Sequence, residues 1–372
     1  MKPLLVDLET AWRGGQNQAL LLLKGLQARG HLPGLVATVG SALGERAAEA
    51  GVPVHFAARG LLQLPAARIV REVLKTRDFD LVHANEAHAV TAAWLARAHQ
   101  QVPVVISRRV GYPIGQGRLA RARYRAAARI IANSEWVAGQ AIASGAPKEK
   151  VTVVFEGAEI PPRFAPPQRA AARQRWQQPE GEPLLGCVGV LLPDKGQEWL
   201  IRAAAELCGE FPGLRLLLAG DGPSRGKLET LAQELKISGL VIFAGFVKDV
   251  VSVYAAVDVF LLPSFFEALN NSLLAAMAYE IPSIAFRRGA LGEIIEDGRS
   301  GLLIEAANLA DLSAAIRRLL TDPALAKTLG SNGRRRVEEC FSADRMVDGM
   351  VHVYEQELAR APGRNFQREG KR

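Results

Sequence analysis

The sequence predicts an α/β protein made of two doubly wound parallel-sheet domains in series. Short apolar runs alternate with helical patterns along most of the chain, and this βαβ repetition is typical of a parallel sheet covered by helices on both faces. The segment Ile160–Pro167 holds four prolines in eight residues, so it cannot continue a helix or a central strand and is interpreted as a linker. Because the repetition restarts after it, we predict domains over residues 1–165 and 166–342.

The apolar runs give the predicted strands. In the first domain they lie at Leu4–Leu8, Leu35–Val39, Val52–Phe56, Leu81–Ala84, Val102–Ile106, Arg129–Ala132 and Val151–Phe155. The helical patterns between them include Gln16–Arg29, Ala66–Arg77 and Ala87–Ala98. In the second domain the strands are predicted at Leu184–Val190, Leu214–Ala219, Val241–Ala244, Val257–Leu262 and Ser283–Ala285. A last helix is predicted near Ala343–Ala359.

Composition indicates a soluble globular protein. The 372 residues are 49% hydrophobic and 23% charged, and no apolar run approaches the roughly 18 residues that a membrane-spanning helix needs. The N-terminus, Met1–Glu9, is too short and too acidic for a signal peptide and is predicted to be the first strand. The three cysteines have no metal-ligand spacing, which favours reduced thiols and a cytoplasmic location.

Basic residues are concentrated in one stretch of a chain whose net charge is +8. Arg118, Arg121, Arg125 and Arg129 are spaced three, four and four apart, which predicts one stripe on a helix. Two interpretations stay open: a solvated helix face, or a patch for anionic lipid headgroups at the inner face of the cytoplasmic membrane. Nucleic acid is not an expected partner, because the stripe lacks interleaved aromatic residues and a recognition motif.

One carboxylate, Glu267, is predicted to lie in a turn between a strand and a helix. The apolar run Val257–Leu262 precedes it, and the helix-forming segment Ser272–Ala278 follows it. Open α/β sheets bind ligands at such turns, because free backbone amides and the helix dipole favour an anion there. The alternative is an ordinary turn with a solvated glutamate.

The stretch Pro263–Pro282 resembles the signature of the retaining nucleotide-sugar-dependent glycosyltransferases of family four, which have the GT-B fold. In that signature a Pro-Ser precedes a Glu, and a second Glu, an Ala-Met-Ala and a Pro follow. The matching residues are Glu267, Leu269, Asn271, Leu273 and Leu274, whereas Ala275 stands at the position of the second Glu. The resemblance implies two Rossmann-like domains facing a cleft, with the C-terminal helix, residues 343–372, packing back onto the first domain.

A second cluster, Gly189–Gly196, resembles the family's Gly-Arg-x-x-Pro-Glu-Lys-Gly. Lys195 matches the lysine that contacts the nucleotide diphosphate, and Val190 replaces the arginine. Softer matches are the glycine loop after the first strand, the Gly-Asp-Gly-Pro turn, and the segment whose backbone reads the nucleobase. The donor-binding residues that the resemblance implies are Gly14, Gly15, Gly189, Lys195, Gly220, Phe246, Val247, Glu267, Asn270, Asn271, Ser272 and Leu273.

Polar side chains after two strands of the first domain are candidates for the acceptor side. His83 and His88 are five apart, the wrong spacing for two ligands on one helical face, so no metal is predicted. The resemblance favours His88 as the cleft-facing histidine, and His83 is interpreted as a polar residue closing its strand. Arg108 and Arg109 are predicted at the same rim, facing a diphosphate or an anionic acceptor group.

The resemblance implies glycosyl transfer with retention, from a nucleoside-diphosphate sugar to a hydroxyl of a cell-envelope glycan or a lipid-linked acceptor. Glu267, His88 and Lys195 are the predicted catalytic residues, and neither cofactor nor metal is required. Since Val190 and Ala275 both fall on donor contacts, a second hypothesis is a catalytically weak homologue that binds another transferase. A third is a GT-B nucleotide-sugar epimerase, which would need acid–base groups such as the His83–His88 region.

Overall fold

The chain forms two compact units, seen in a computed structural model that describes residues 1–115 and 117–361. The first unit contains Met1–Glu156 and the C-terminal segment from Ala343, and the second contains Gly157–Ser342. Residues 362–372, the end of the predicted C-terminal helix segment, lie outside the described residues.

The linker belongs to the second unit, so the division falls at 156/157 and not at 165/166. The backbone N–H of Ala158 donates to the carbonyl of Phe341, 2.8 Å away, and the Phe164 ring stacks on Tyr279 with centroids 4.4 Å apart. The last two prolines of the linker begin a helix at Pro166. Proline is tolerated there because the first helical N–H groups have no intrahelical partner.

The first unit is a seven-stranded parallel sheet. Its strands are β1 (Pro3–Asp7), β2 (Gly34–Thr38), β3 (Val54–Ala57), β4 (Leu81–Ala84), β5 (Val104–Arg108), β6 (Arg129–Ala132) and β7 (Val151–Val153). Its helices are α1 (Gly14–Ala28), α2 (Ala42–Glu49), α3 (Leu64–Lys75), α4 (Ala87–Leu95), α5 (Arg118–Ala126) and α6 (Glu135–Ala143). The spatial order is β3-β2-β1-β4-β5-β6-β7, so the order reverses between β1 and β4.

The second unit is a six-stranded parallel sheet. Its strands are β8 (Leu184–Val188), β9 (Arg215–Ala219), β10 (Val241–Gly245), β11 (Val259–Leu262), β12 (Ser283–Phe286) and β13 (Leu302–Ile304). Its helices are α7 (Pro166–Arg175), α8 (Gln197–Leu207), α9 (Arg225–Glu234), α10 (Val251–Ala256), α11 (Asn271–Ala278), α12 (Leu291–Ile294), α13 (Leu309–Thr321) and α14 (Pro323–Cys340). The order β10-β9-β8-β11-β12-β13 reverses between β8 and β11. The predicted strands missed β13, whose three residues are too short for an apolar run to stand out.

The last helix, α15 (Ala343–Arg360), packs on α1 of the first unit. Its buried residues Met346, Met350 and Val353 face the apolar stripe of α1. A Cβ at Gly25 of α1 would lie 2.4 Å from Val347, so glycine permits the close approach of the two helices. Within the described residues, no helix combines the length and the apolar character that crossing a bilayer requires.

The predicted arginine stripe is wrong at its fourth member. Helix α5 ends at Ala126, because Ala127 has an extended backbone, and Arg129 begins β6. Its guanidinium forms an ion pair with Glu357 of α15 at 2.6 Å, and both side chains are largely buried. Arg118, Arg121 and Arg125 remain exposed on α5.

Candidate active site

The candidate donor residues of the second unit lie at the carboxyl ends of its strands. The Gly189–Gly196 turn follows β8, and the Glu267 turn follows β11. These two strands are neighbours at the point where the strand order reverses, and the loops that leave them run to opposite faces of the sheet. The fold therefore brings the two turns that carry the strongest sequence matches to one crevice of this unit.

Glu267 and Lys195 form an ion pair in this crevice. Lys195 Nζ lies 2.7 Å from Glu267 Oε1, and Glu267 is only 6% exposed. Asn270 Nδ2 donates to the same carboxylate oxygen at 3.0 Å. The Asn270 Oδ1 in turn accepts from the backbone N–H of Leu273 at 2.8 Å, so Asn270 is the N-cap of α11. Glu267 is therefore held in a polar turn, and the alternative of a solvated glutamate is not what the structure shows.

The glycines of this unit allow three strand ends to approach closely. The Gly189 N–H donates to the carbonyl of Ala219 at 3.0 Å, and the Gly220 N–H donates to the carbonyl of Gly245 at 2.8 Å. Gly220 has φ +151°, and a Cβ on it would lie 1.8 Å from the Gly189 oxygen. No other residue could stand at Gly220 without separating these backbones. The structure thus brings together Gly189 and Gly220, which the sequence predicted as donor contacts.

The predicted nucleobase segment is exposed at the end of β10. Phe246 is 84% exposed, and Val247 beside it is half-buried. Val190, which stands where the family has arginine, is 53% exposed. Ser272 Oγ donates to the carbonyl of Val188 at 2.9 Å, which ties α11 to the end of β8. Asn271 and Ser272 open α11, and Leu273 is buried beneath them.

In the first unit, a buried polar network lies at the corresponding strand ends. Asp7, which ends β1, accepts from Asn85 Nδ2 at 2.6 Å and from Gln16 Nε2 at 3.1 Å. Arg109 Nη1 donates to the Asn85 Oδ1 at 2.7 Å, and Arg109 Nε lies 2.8 Å from a Glu156 carboxylate oxygen. Burial raises the pKa of Asp7 and of Glu156 above the usual carboxyl range. The network extends from the end of β1 to Glu156 beyond the end of β7, and its members Asn85 and Arg109 lie next to Gly15.

Asp7, Gln16, Asn85 and Glu156 were not predicted from the sequence as members of this site. The signals in the sequence were weak: Asp7 is a single acidic residue near the end of the first apolar strand, and Glu156 is a single acidic residue after the last strand of this unit. Gly14 and Gly15 begin α1, whose N-cap side chain makes no capping bond, and Asn85 Nδ2 contacts the Gly15 carbonyl at 3.5 Å. The network therefore supports the glycine turn.

The two predicted rim arginines have different positions. Arg109 is partly exposed and belongs to the network described above. Arg108 is 7% exposed, and its guanidinium donates to the Tyr124 hydroxyl at 3.2 Å and to the Tyr112 carbonyl. Arg108 is therefore engaged inside the unit and does not present its charge at the rim, because alternate strand residues point to opposite faces.

His88 is exposed in the first turn of α4, and His83 is buried. The Gln63 amide donates to His88 Nδ1 at 3.1 Å, so in the neutral ring the proton is on Nε2, which lies 3.9 Å from Glu9. His83 bonds the Tyr354 hydroxyl of α15 at 2.5 Å and the Ser107 hydroxyl at 2.7 Å. Burial lowers the pKa of His83 to about 3, so it is a neutral structural residue that joins α15 to the sheet.

Glu86 is the N-cap of α4 and accepts three backbone N–H groups, those of Leu8, His88 and Ala89. Burial raises its pKa to about 7, with a further contribution from nearby Asp7. Glu9, Glu86 and His88 can bring one ligand atom each within 4.8 Å of one another. Since the Glu86 carboxylate is already committed to these N–H groups, the cluster fits an N-cap better than a metal centre.

We expect Glu86 to make stability depend on pH. Between about pH 4.5, the ordinary carboxyl value, and about 7, the folded chain keeps a proton that the unfolded chain has released. The free energy of unfolding therefore falls as pH rises through this window. Glu86→Gln cannot titrate, so its unfolding free energy relative to wild type should rise by about 2 kcal/mol between about pH 5 and about pH 8. Denaturant unfolding at both pH values measures this difference in unfolding free energy. Glu72→Gln, on the exposed face of α3, serves as the control. If wild type and Glu86→Gln lose stability in parallel as pH rises, the prediction is wrong.

Comparison with known proteins places the chain in a family. Residues 12–160 match the family described as Glycosyltransferase Family 4, and residues 168–336 match the family described as Glycosyl transferases group 1. A D-inositol 3-phosphate glycosyltransferase of Saccharomonospora viridis is 30% identical over 335 residues, which is 81% of this chain and 77% of the relative. A lipopolysaccharide core biosynthesis glycosyltransferase of Rhizobium meliloti, LpsE, is 32% identical over 184 residues, which is 50% of this chain and 53% of LpsE.

Among solved structures, the crystal structure of Anabaena Alr3699/HepE in complex with UDP superposes with a TM-score of 0.81. The match covers 96% of this chain and 100% of that one at 22% identity, and it establishes the fold. Two parallel-sheet units of seven and six strands, each with polar turns at its strand ends, have the GT-B fold. The chain belongs to glycosyltransferase family 4.

Proposed function

We propose that the protein transfers a sugar, with retention, from a nucleoside-diphosphate sugar to a hydroxyl of a cell-envelope glycan or lipid-linked acceptor. The observation that carries the proposal is the Lys195–Glu267 pair at the strand-order reversal of the second unit. A cation and a carboxylate held side by side in a crevice offer one group for a diphosphate and one for sugar hydroxyls. The HepE crystal structure, which holds UDP, supports a nucleotide-sugar donor.

On the donor side, Lys195 contacts the diphosphate and Glu267 accepts hydrogen bonds from the sugar hydroxyls. Since Lys195 Nζ contacts the Glu267 carboxylate, a bound diphosphate shares the charge of Lys195 with that carboxylate. The N-terminal amides of α11 add the positive end of a helix dipole. Such preorganised groups stabilise the negative charge that develops on the leaving diphosphate. The proposed reaction uses neither a metal nor a cofactor.

Transfer with retention requires the acceptor to approach the face that the diphosphate leaves. The bond between the anomeric carbon and the phosphate oxygen breaks through an oxocarbenium-like state, and a bond to the acceptor oxygen forms. The acceptor hydroxyl proton passes to the departing phosphate oxygen, so charge and atoms balance. His88 Nε2, exposed in the first unit, orients a sugar hydroxyl. Gly14 and Gly15 open α1, and the free backbone N–H groups of this helix N-terminus suit a phosphate.

The acceptor class is supported by relatives and by charge. LpsE is described as acting in lipopolysaccharide core biosynthesis, and the chain matches about half of it. The exposed arginines of α5 fit an acceptor presented at an anionic surface. The protein then works at the inner face of the cytoplasmic membrane.

The direct test is a screen of nucleotide sugars by thermal shift, because a ligand that binds only the native state raises the unfolding midpoint. At least one nucleoside-diphosphate sugar should raise the midpoint, and it should transfer its sugar to an envelope-type acceptor. The anomeric configuration of the product, read by NMR, should equal that of the donor. An inverted product would refute retention, and binding without any transfer would favour the non-catalytic hypothesis.

We also expect the α5 arginines to mediate binding to acidic vesicles. Replacing Arg118, Arg121 and Arg125 with Gln should abolish sedimentation with anionic vesicles and leave transfer to a soluble, truncated acceptor unchanged. Wild-type binding should fall steeply with salt, because screening at about 0.15 M acts over roughly 8 Å. If the triple variant sediments as wild type does, the three arginines form only a solvated helix face.

Arg129→Gln is the matched control. Since Arg129 is paired with buried Glu357, its loss should lower the free energy of unfolding by roughly 1–3 kcal/mol, less than the usual cost of breaking a buried pair because Arg360 also contacts Glu357. Vesicle binding of the folded variant should equal that of wild type.

A further inference from the structure

Three exposed leucines lie where the segment that joins β3 to α3 ends and α3 begins. Leu61, Leu62 and Leu64, called here the leucine tip, are 80%, 67% and 54% exposed. Single exposed apolar residues are ordinary, but a contiguous group of this size marks an interaction surface. The proposed donor and acceptor chemistry makes no use of it.

The backbone holds these leucines away from the core. Leu62 and Gln63 have φ values of +53° and +63°, in the left-handed region that residues with a Cβ rarely adopt. Helix α3, which follows directly, buries Val70 and Val73 in the core of the unit. The backbone therefore changes direction at Leu62 and Gln63, so that the leucine tip is exposed while the apolar residues of α3 are buried.

The leucine tip lies beside His88 and near α5. The Gln63 amide bonds His88 Nδ1 at 3.1 Å, at the start of α4. One turn further along α4, the Thr91 hydroxyl accepts a hydrogen bond from Arg123 of α5. Gln63, which lies between Leu62 and Leu64, and Arg123 of α5 thus contact neighbouring turns of α4. Helix α5 adds another apolar side chain, Leu119, which is 66% exposed.

Two exposed basic residues, Arg59 and Arg68, flank the leucine tip in the sequence, whereas Glu9 and Glu86, the acidic residues next to His88, are partly buried. No acidic residue occurs in the sequence between Glu86 and Glu135, whereas this stretch includes the α5 arginines and Arg123. A soluble anionic glycan would match the arginines but offers no acyl chain to the leucines. An anionic bilayer offers acidic headgroups to the arginines and acyl chains to the exposed leucines.

We propose that the leucine tip inserts among the acyl chains of an anionic bilayer and holds His88 at the level of the headgroups. The inference deepens the proposed function, on which it rests for the reaction: the acceptor is then a hydroxyl borne by a membrane lipid. Insertion supplies the apolar part of membrane binding, and the α5 arginines supply the electrostatic part.

The first test removes the apolar surface. Leu61→Ser, Leu62→Ser and Leu64→Ser are combined, and sedimentation with phosphatidylglycerol–phosphatidylcholine vesicles is measured. The affinity for vesicles should fall about tenfold or more, because three leucines lose their apolar environment. The control combines Leu32→Ser and Val39→Ser, which are 63% and 59% exposed elsewhere on the same unit, and it should bind as wild type does. Unchanged binding by the tip variant, or a wild type that captures no vesicles, overturns the proposal.

The second test reports insertion itself. Leu62→Cys is labelled with the fluorophore NBD in a background of Cys208→Ser and Cys340→Ser, since the remaining Cys187 is buried. With vesicles that carry doxyl-labelled acyl chains, NBD emission should shift to the blue and be quenched. Unchanged emission in protein that sediments with the vesicles would show that the leucine tip stays outside the bilayer. Binding of a nucleoside diphosphate, measured in parallel, should be the same with and without the label. If wild type binds no nucleoside diphosphate, the proposed function is refuted, whereas the insertion proposal is not.

Discussion

Glu267→Gln is expected to reduce sugar transfer by about 10²-fold or more, the cost of removing one preorganised polar group from an active site. The substitution keeps the size of the side chain, and its amide oxygen can still accept from Asn270. It removes the charge that neutralises Lys195 and that accepts from the donor hydroxyls. Turnover with a saturating donor and acceptor is the measurement, because the interaction is made most strongly in the transition state.

The fold of the Glu267→Gln variant should be preserved, since the turn stays capped by Asn270. Its unfolding midpoint should lie within about 4 °C of wild type, which for a domain of this size corresponds to about 1 kcal/mol. Glu229→Gln is the matched control, because Glu229 is an ion-paired glutamate on exposed α9 of the same unit, 2.8 Å from Arg225. Wild-type turnover by a stably folded Glu267→Gln variant would refute the proposed role.

Lys195→Ala should weaken binding of a nucleoside diphosphate much more than binding of the nucleoside. A hydrogen bond to a charged group is worth about 1.5–3 kcal/mol, which corresponds to a loss of roughly 10- to 150-fold in affinity. Val190 supplies no second cation at the position where the family has arginine, so the contribution of Lys195 should be large. Calorimetric titration of both ligands into wild type and variant gives the comparison.

Lys195→Ala also leaves buried Glu267 without its cation, so general damage to the crevice must be distinguished from a lost phosphate contact. The nucleoside titration serves this purpose, because the nucleoside has no phosphate. Lys227→Ala, an exposed lysine on α9, controls for net charge and should bind both ligands as wild type does. Equal losses for the two ligands would assign Lys195 a purely structural role.

The doubly wound fold could be predicted from the sequence, and the structure confirms it. Buried parallel strands are continuous apolar runs, so Leu81–Ala84 and Arg129–Ala132 were predicted with the bounds that they have. A predicted strand also gives the position of the turn that follows it, at the carboxyl end of the strand. Glu267 and Lys195 could therefore each be predicted at a strand end. The adjacency of β8 and β11, and with it the 2.7 Å contact between residues 72 positions apart, is known only from the structure. Their roles in binding and catalysis remain predictions.

Local patterns were insufficient where the outcome depended on residues distant in the chain. Spacing placed Arg129 with the α5 arginines, yet Arg129 begins β6, and its burial depends on the pairing with Glu357, 228 positions later. Arg108 was predicted at a rim, but its side chain lies inside the unit against Tyr124. The surroundings of a side chain at a strand end depend on strand order and on the packing of helices. Neither can be read from a short stretch of sequence.

By itself, the sequence determined the layered α/β architecture and which turns carry the polar groups, because hydrophobic periodicity and strand-end turns are local properties. The tertiary structure alone decided that Asp7, Asn85, Arg109 and Glu156 form one buried network, and that the leucine tip lies beside His88. Those contacts arise where β1, β4, β5 and β7 end at one edge of the sheet. Burial there, which shifts the carboxyl pKa values, exists only once the chain has folded.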